Sequence, residues 1–352
     1  MLNWSDFQLL CEKELKLCGV HEGETVVVLS QGDDRMAYAD AFISAGRQLG
    51  AESYNVRLGD TSSALNGPAV SQVGINPLRG NLGAIDALKH ADLVVDLIFL
   101  LWSSEQHEIQ DAGARILTVI EDLTLLKQMF PTQAQRERCE ISAELLRGAK
   151  HLRVTNKAGT EISYELGKYK VVDEYGFTDE PGRWDSWPAG FVFTAGAENG
   201  INGRVVIDKG DIFAMPFRGY VQSPIELIVE QGRVVRISGG VDADLMRDYV
   251  ERMNDPRGYA CSHIGWGINE KVRWSSMAST LRSYGQEARA FYGNVMFAMG
   301  PNLELGGTND TATHIDIPMR NCSLFLDDKP ILVDGDFIVP ELKLPNMSSG
   351  RN

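Results

Sequence analysis

Thr25-Val-Val-Val-Leu-Ser30 is an apolar run with no alternation, and its reading decides the fold class. A strand buried on one face alternates apolar and polar side chains; one covered on both faces stays apolar throughout. An amphipathic helix from Trp4 to Cys18 precedes the run, and a second from about Arg35 to Leu49 follows it. Further out, Ser53–Arg57 reads as a strand, Leu82–His90 as a helix, and Asp92–Phe99 and Arg115–Ile120 as two more strands. Strand and helix in alternation predict a Rossmann-like α/β domain over residues 1–130, a parallel sheet with helices on both faces. The first strand runs into Ser30-Gln31-Gly32-Asp33-Asp34 and not into Gly-x-Gly-x-x-Gly, so a dinucleotide is not indicated.

Residues 131–150 read as a connecting helix, Thr132 to Ala149. From His151 the pattern changes to short strands and turns, among them Leu152-Arg-Val-Thr, Gly159–Tyr164, Gly203–Asp208 and Ile225–Val229. Helices interrupt near Ala243–Arg252 and Trp274–Leu281, so residues 151–352 are predicted to form a β-rich α+β domain.

Composition narrows the function. A net charge of −14 disfavours nucleic acid and polyanionic membranes, both of which need basic patches. Met1–Asp6 has neither a basic start nor an apolar run, and the apolar stretch Ala91–Trp102 is broken by Asp92 and Asp96 and too short to span a bilayer. Cys11, Cys18, Cys139, Cys261 and Cys322 are odd in number and lack Cys-x-x-Cys pairs, which reads as reduced thiols in a cytoplasmic protein.

The chemistry concentrates in Thr313-His-Ile-Asp-Ile-Pro318. On a strand, residues i and i+2 share a face, so His314 and Asp316 converge while Ile315 and Ile317 point away. His263, in the glycine-rich Cys261-Ser-His-Ile-Gly-Trp-Gly267, is the best third ligand among six histidines. Two imidazoles and a carboxylate form the facial triad of non-haem Fe(II) oxygenases, and the same set suits zinc with an activated water in a hydrolase. Iron is favoured because such a triad leaves three adjacent positions on an octahedral ion, enough for a chelating substrate and dioxygen.

Several motifs then resemble one family. Ser262-His-Ile-Gly-Trp-Gly, Ala290-Phe-Tyr-Gly-Asn, Gly300-Pro-Asn, His314-Ile-Asp-Ile-Pro, Arg320-Asn-Cys, Leu326-Asp-Asp-Lys and Glu180-Pro-Gly-Arg-Trp-Asp are similar to those of 2,5-dihydroxypyridine 5,6-dioxygenases. The resemblance extends over almost the whole chain, including Ala91-Asp-Leu-Val-Val-Asp. It implies an M29 (aminopeptidase T-like) metallopeptidase fold, Fe(II) held by His263, His314 and Asp316, and opening of a hydroxylated N-heterocycle by O2, to N-formylmaleamate for 2,5-dihydroxypyridine. The two-metal peptidases place a glutamate at Phe191 and a histidine at Met296, and neither apolar side chain binds a hard cation. A single-metal hydrolase is the alternative.

The resemblance also implies pocket positions. Glu174 matches a family glutamate that orients the ring, whereas Trp102 and Ser186 stand where relatives carry histidines and Ala298 where they carry a serine. The reaction class is therefore expected to survive, and a related hydroxylated N-heterocycle or hydroxyarene fits the pocket as well as 2,5-dihydroxypyridine itself. Arg183 pairs either an anionic substituent or Asp185; Trp187 and Trp184 stack on a ring or pack in the core; Tyr292 donates a hydrogen bond near the metal or packs. His107 is either a proton shuttle or a helix-surface residue, and His21, His90 and His151 carry no claim. Relatives assemble, so a homo-oligomer, dimer or hexamer, is expected.

Overall fold

The apolar run forms the strand Thr25–Gln31, in which Val26 to Leu29 are wholly buried. The computed structural model describes residues 4–33, 35–59, 77–101, 103–279 and 283–344. It divides into two compact units, Met1–Pro131 with Tyr175–Ala189, and Thr132–Glu174 with Gly190–Asn352.

The first unit holds a five-stranded sheet in the order Glu52–Leu58, Thr25–Gln31, Leu93–Asp96, Arg115–Thr118, Trp184–Ser186, every pair parallel. The strand order reverses between Thr25–Gln31 and Leu93–Asp96, the kind of switch point beside which doubly wound sheets place ligands. Asp96 fixes the turn leaving that edge. Its carboxylate accepts the N–H of Ile98 and of Leu100 and the hydroxyl of Thr118, each at 2.9 Å.

The fifth strand comes from a segment that the sequence places in the later domain. Asp185 gathers this excursion: its side chain accepts the N–H groups of Tyr175, Gly176 and Ser186 and pairs with Arg183 at 2.9 Å. The helix Gln133–Gly148, read from sequence as a connector, packs on strands Val172–Glu174 and Phe191–Thr194 of the second unit. Its apolar face, with Cys139, Ala143 and Leu146 buried, accounts for this.

The second unit contains an eight-stranded antiparallel sheet and a five-stranded one. The smaller sheet carries the chemistry, in the order Ile315–Met319, Val295–Met299, Cys261–Gly267, Phe191–Thr194, Val172–Glu174, all antiparallel. Gly265 is required at its centre: a Cβ there would stand 2.1 Å from the carbonyl oxygen of Val192. All five cysteines are free and buried. Among the described residues, no helix is long and apolar enough to cross a membrane.

Candidate metal centre

Register in the five-stranded sheet brings the site together. Directly paired residues share a face, as do residues two apart on one strand. Asp316 pairs with Ala298; Met296, two residues back, pairs with Gly265, which pairs with Phe193; Phe191 pairs with Glu174. One face therefore carries a carboxylate on each edge strand, with Phe191, Phe193, Gly265, Met296 and Ala298 as the floor between them.

His263, two residues before Gly265 on the same strand, shares this face and sits in a β-bulge. Cys261 pairs with Met299 and Ile264 with Phe297, so three steps on one strand oppose two on the other, and Ser262 and His263 occupy the irregularity. Bulges are common next to active sites. His263 Nε2 lies 3.2 Å from Asp316 Oδ1, and His314 Nε2 lies 3.1 Å from the same oxygen. The two imidazoles stand edge to face, 5.7 Å between centroids, and Phe193 closes on His263 at 5.0 Å.

All three side chains are buried. Burial alone would raise the Asp316 carboxyl, but His314 and His263 overcome it and hold the group well below the ordinary carboxylate range. The two histidines diverge: burial lowers His263, while at His314 the attraction of Asp316 outweighs burial and raises it. One carboxylate thus serves two rings that hold protons unequally.

A metal fits these donors. Among the described residues they form the one His/Cys/Asp/Glu group of three whose ligand atoms lie within 4.8 Å of one another. Three donors about 2.1 Å from one ion and at right angles are about 3 Å apart, close to the separations seen. The Nδ1 atoms, the ring nitrogens not turned to Asp316, are both buried without a hydrogen-bond partner.

Arg289 completes the electrostatics. It lies on the short helix Gln286–Ala290, pairs with Glu174 at 3.0 Å, approaches Asp316 Oδ2 to 3.8 Å and covers the Phe191 ring at 5.1 Å. The Glu174 backbone is itself fixed, because its carbonyl accepts from Cys139 Sγ at 3.2 Å and from the N–H of Gly190 at 3.0 Å. Nearby, burial pushes the Glu304 carboxyl up to about 7.

A model of the 2,5-dihydroxypyridine 5,6-dioxygenase family matches residues 6–339. The chain belongs to this family. The 2,5-dihydroxypyridine 5,6-dioxygenase of Pseudomonas putida KT2440 is 42% identical over 334 residues, 94% of this chain and 95% of that one. The solved structure of 2,5-dihydroxypyridine dioxygenase from Pseudomonas putida KT2440 matches with a TM-score of 0.93 at 40% identity, over 97% of this chain and 99% of that one. Wild-type AmpT from Thermus thermophilus shares the fold alone, with a TM-score of 0.64 at 15% identity over 95% of this chain and all of AmpT. The expected metallopeptidase-like fold is borne out, and the hydrolase alternative finds no support at the level of a related sequence.

Within this dioxygenase family member, the remaining residues singled out from sequence separate clearly. Ala298 lies beside Asp316 on the site face, and Glu174 is joined to it through Arg289. Tyr292 donates its hydroxyl to the Leu342 carbonyl at 2.8 Å and packs on Phe337. Arg183 is paired with Asp185 and stacked on Tyr175 at 3.8 Å. Trp187 is wholly buried in the first unit, donating to the Leu126 carbonyl at 3.1 Å, and Trp184 donates to Thr118 Oγ1 at 3.0 Å. Ser186 is buried on the fifth strand of the parallel sheet, and Trp102 lies outside the described residues. His107 is half-buried on the helix Ser104–Asp111, and His21, His90 and His151 are exposed. Sequence reading missed Arg289, Glu304 and Phe193. An arginine flanked by two alanines, Ala288-Arg-Ala290, is the available signal for the first.

Proposed function

We propose that this protein is an Fe(II)-dependent dioxygenase that opens the ring of 2,5-dihydroxypyridine or a close analogue. The observation that carries the reading is the buried His263–His314–Asp316 cluster in a chain of this family. Bound iron supplies adjacent coordination positions for a ring oxygen and for dioxygen. The chain's own residues contribute position and charge. His263 and His314 as neutral ligands and Asp316 as a single anion leave a divalent ion net positive, which favours an ionised ring hydroxyl. Phe191 and Phe193, stacked at 5.2 Å, offer a flat apolar wall to a ring. Ala298 keeps the space beside Asp316 free of bulk. Arg289 places a fixed positive charge over Phe191 and, through its pair with Glu174, holds that carboxylate where it can orient a ring substituent.

Trp102 and Ser186 are proposed as substrate-selecting positions on family resemblance alone. Arg183, Trp187 and Tyr292 are assigned structural roles here, since each has its polar group engaged elsewhere. A cytoplasmic location and a homo-oligomer, dimer or hexamer, belong to the same reading; five buried free thiols and an acidic chain support the first. The test is oxygen uptake by anaerobically Fe(II)-loaded protein with dihydroxypyridines, hydroxypyridine carboxylates and dihydroxybenzoates. Uptake with 2,5-dihydroxypyridine is expected. Uptake confined to another ring would make Trp102, Ser186 and Ala298 the residues that changed the substrate, and none with any ring would end the proposal.

A further inference from the structure

We infer that Glu304 is the proton acceptor of this site, its carboxylate taking the proton that the substrate's ring hydroxyl loses on binding. The inference rests on the ring-opening reading above.

Glu304 sits on the single turn Leu303–Leu305, in the loop that joins strand Val295–Met299 to His314. That loop is closed on itself by Asn302. The Asn302 carbonyl accepts from Leu305 at 3.2 Å and from Gly307 at 3.0 Å, while Oδ1 accepts the N–H of Asn309 at 2.9 Å. Asn309 in turn donates to the Gly300 carbonyl at 2.6 Å, and Ser262, next to His263, donates to the Pro301 carbonyl. The loop is thus fastened to the bulge that carries His263. Within it Glu304 is buried to 6% exposure, with Oε2 out of contact with solvent and without any hydrogen-bond partner.

Its surroundings say what a carboxylate does there. The charge of Glu304 acts on His314, Asp316 and Arg289. The three ligands are committed to the metal, and Glu174 is committed to Arg289. Tyr249 accepts the His314 N–H at 3.4 Å, and burial raises both its hydroxyl and the Cys261 thiol. Buried oxygens without a hydrogen-bond partner also occur on Glu174 and Glu287, but Glu174 is paired with Arg289 and Glu287 accepts from Ser283, so among the described carboxylates around the site Glu304 is the one that no cation or hydroxyl holds.

Charge balance gives the reason. A divalent ion and Arg289 bring three positive charges; Asp316, Glu174 and an ionised Glu304 bring three negative ones. Adding an anionic ring would leave the buried site charged, at high cost. If the ring enters neutral, its O–H bond breaks, an O–H bond forms at Glu304 Oε2, and the electron pair stays on the ring oxygen. The total charge does not change, and neither do oxidation states.

The experiment counts protons without turnover. Anaerobic calorimetry of 2,5-dihydroxypyridine binding to the Fe(II)-loaded protein, in two buffers of different ionisation enthalpy, gives the number of protons released to solvent. Near-zero release is expected for the native protein and about one proton per site for Glu304→Gln, with iron content unchanged. The kcat/KM of the variant should fall about 100-fold at neutral pH and climb as pH rises, and Glu304→Asp should recover part of it. Equal proton counts, or kcat/KM within threefold of native, overturn the inference. Loss of iron from Glu304→Gln overturns it too, by making Glu304 part of the metal's hold. If the native protein binds no hydroxylated ring at all, the ring-opening reading falls and takes this inference with it.

Discussion

At Arg289 a single guanidinium compensates two carboxylates, Glu174 at 3.0 Å and Asp316 at 3.8 Å, in a buried setting. Removing one member of a buried pair costs more than the pair itself contributes, because the survivor keeps its desolvation penalty. Arg289→Ala should therefore lower stability by about 3–5 kcal/mol in denaturant unfolding while iron is retained. Arg289→Lys should recover charge but not the two-sided reach. A loss below about 1 kcal/mol, the value of an exposed pair, would show that the guanidinium is not structural. His314→Ala, in contrast, should abolish iron retention and oxygen uptake together. Away from the site, burial raises the Asp211 carboxyl to about 6, against backbone N–H groups of Arg320 and Asp208 that hold its ionised form. A carboxyl raised on folding stabilises below its unfolded value near 4, and that contribution disappears as pH climbs through about 6. Asp211→Asn should lack this loss, so its stability relative to native should improve by roughly 2 kcal/mol between pH 4 and pH 6. A difference that stays flat over that window would contradict the assignment. His314 and Asp316 were legible in the sequence because a strand's two-residue period dictates a shared face. Arg289 was not, since what makes it functional is a partner 115 residues away.

The bulge at Ser262–His263 lies beside the site, and no sequence period announces one extra residue in a strand. Glycines surround it for steric reasons that only the sheet reveals. Gly265→Val should prevent normal folding or lower stability by several kcal/mol, since even a Cβ meets the Val192 carbonyl at 2.1 Å. Circular dichroism melting of that variant at native temperature would contradict the packing described. The parallel strands Thr25–Gln31 and Leu93–Asp96 are legible in the sequence because both faces are buried and the runs are mostly apolar. The strand Trp184–Ser186 escaped notice because three residues between turns carry no period at all. Helix Ser104–Asp111 shows in the sequence only through His107 as a helix-surface residue, because the segment is polar; its Ser103 cap, accepting from Gln106 at 3.2 Å, is the signal that fixes its start.

Over the whole molecule, two units are built from a chain that crosses between them more than once, since Tyr175–Ala189 returns to the first. A single boundary near residue 150 was the natural reading, because composition changes there while the later excursion is short and held by Asp185. All three proposed ligands lie in the second unit, so iron should stabilise that unit. Stabilisation follows mass action, about 4 kcal/mol at a thousandfold excess over Kd, and His263→Ala should show none of it in calorimetric unfolding with and without Fe(II). Isotope tracing tests whether dioxygen opens the ring at this cluster. Fe(II)-loaded protein is given 2,5-dihydroxypyridine under 18O2 in ordinary water, and the product is weighed by mass spectrometry. Both atoms of one dioxygen molecule in each opened ring, and none with His314→Ala, is the predicted result. An intact ring, or product oxygen drawn from water at the instant of formation, would contradict it.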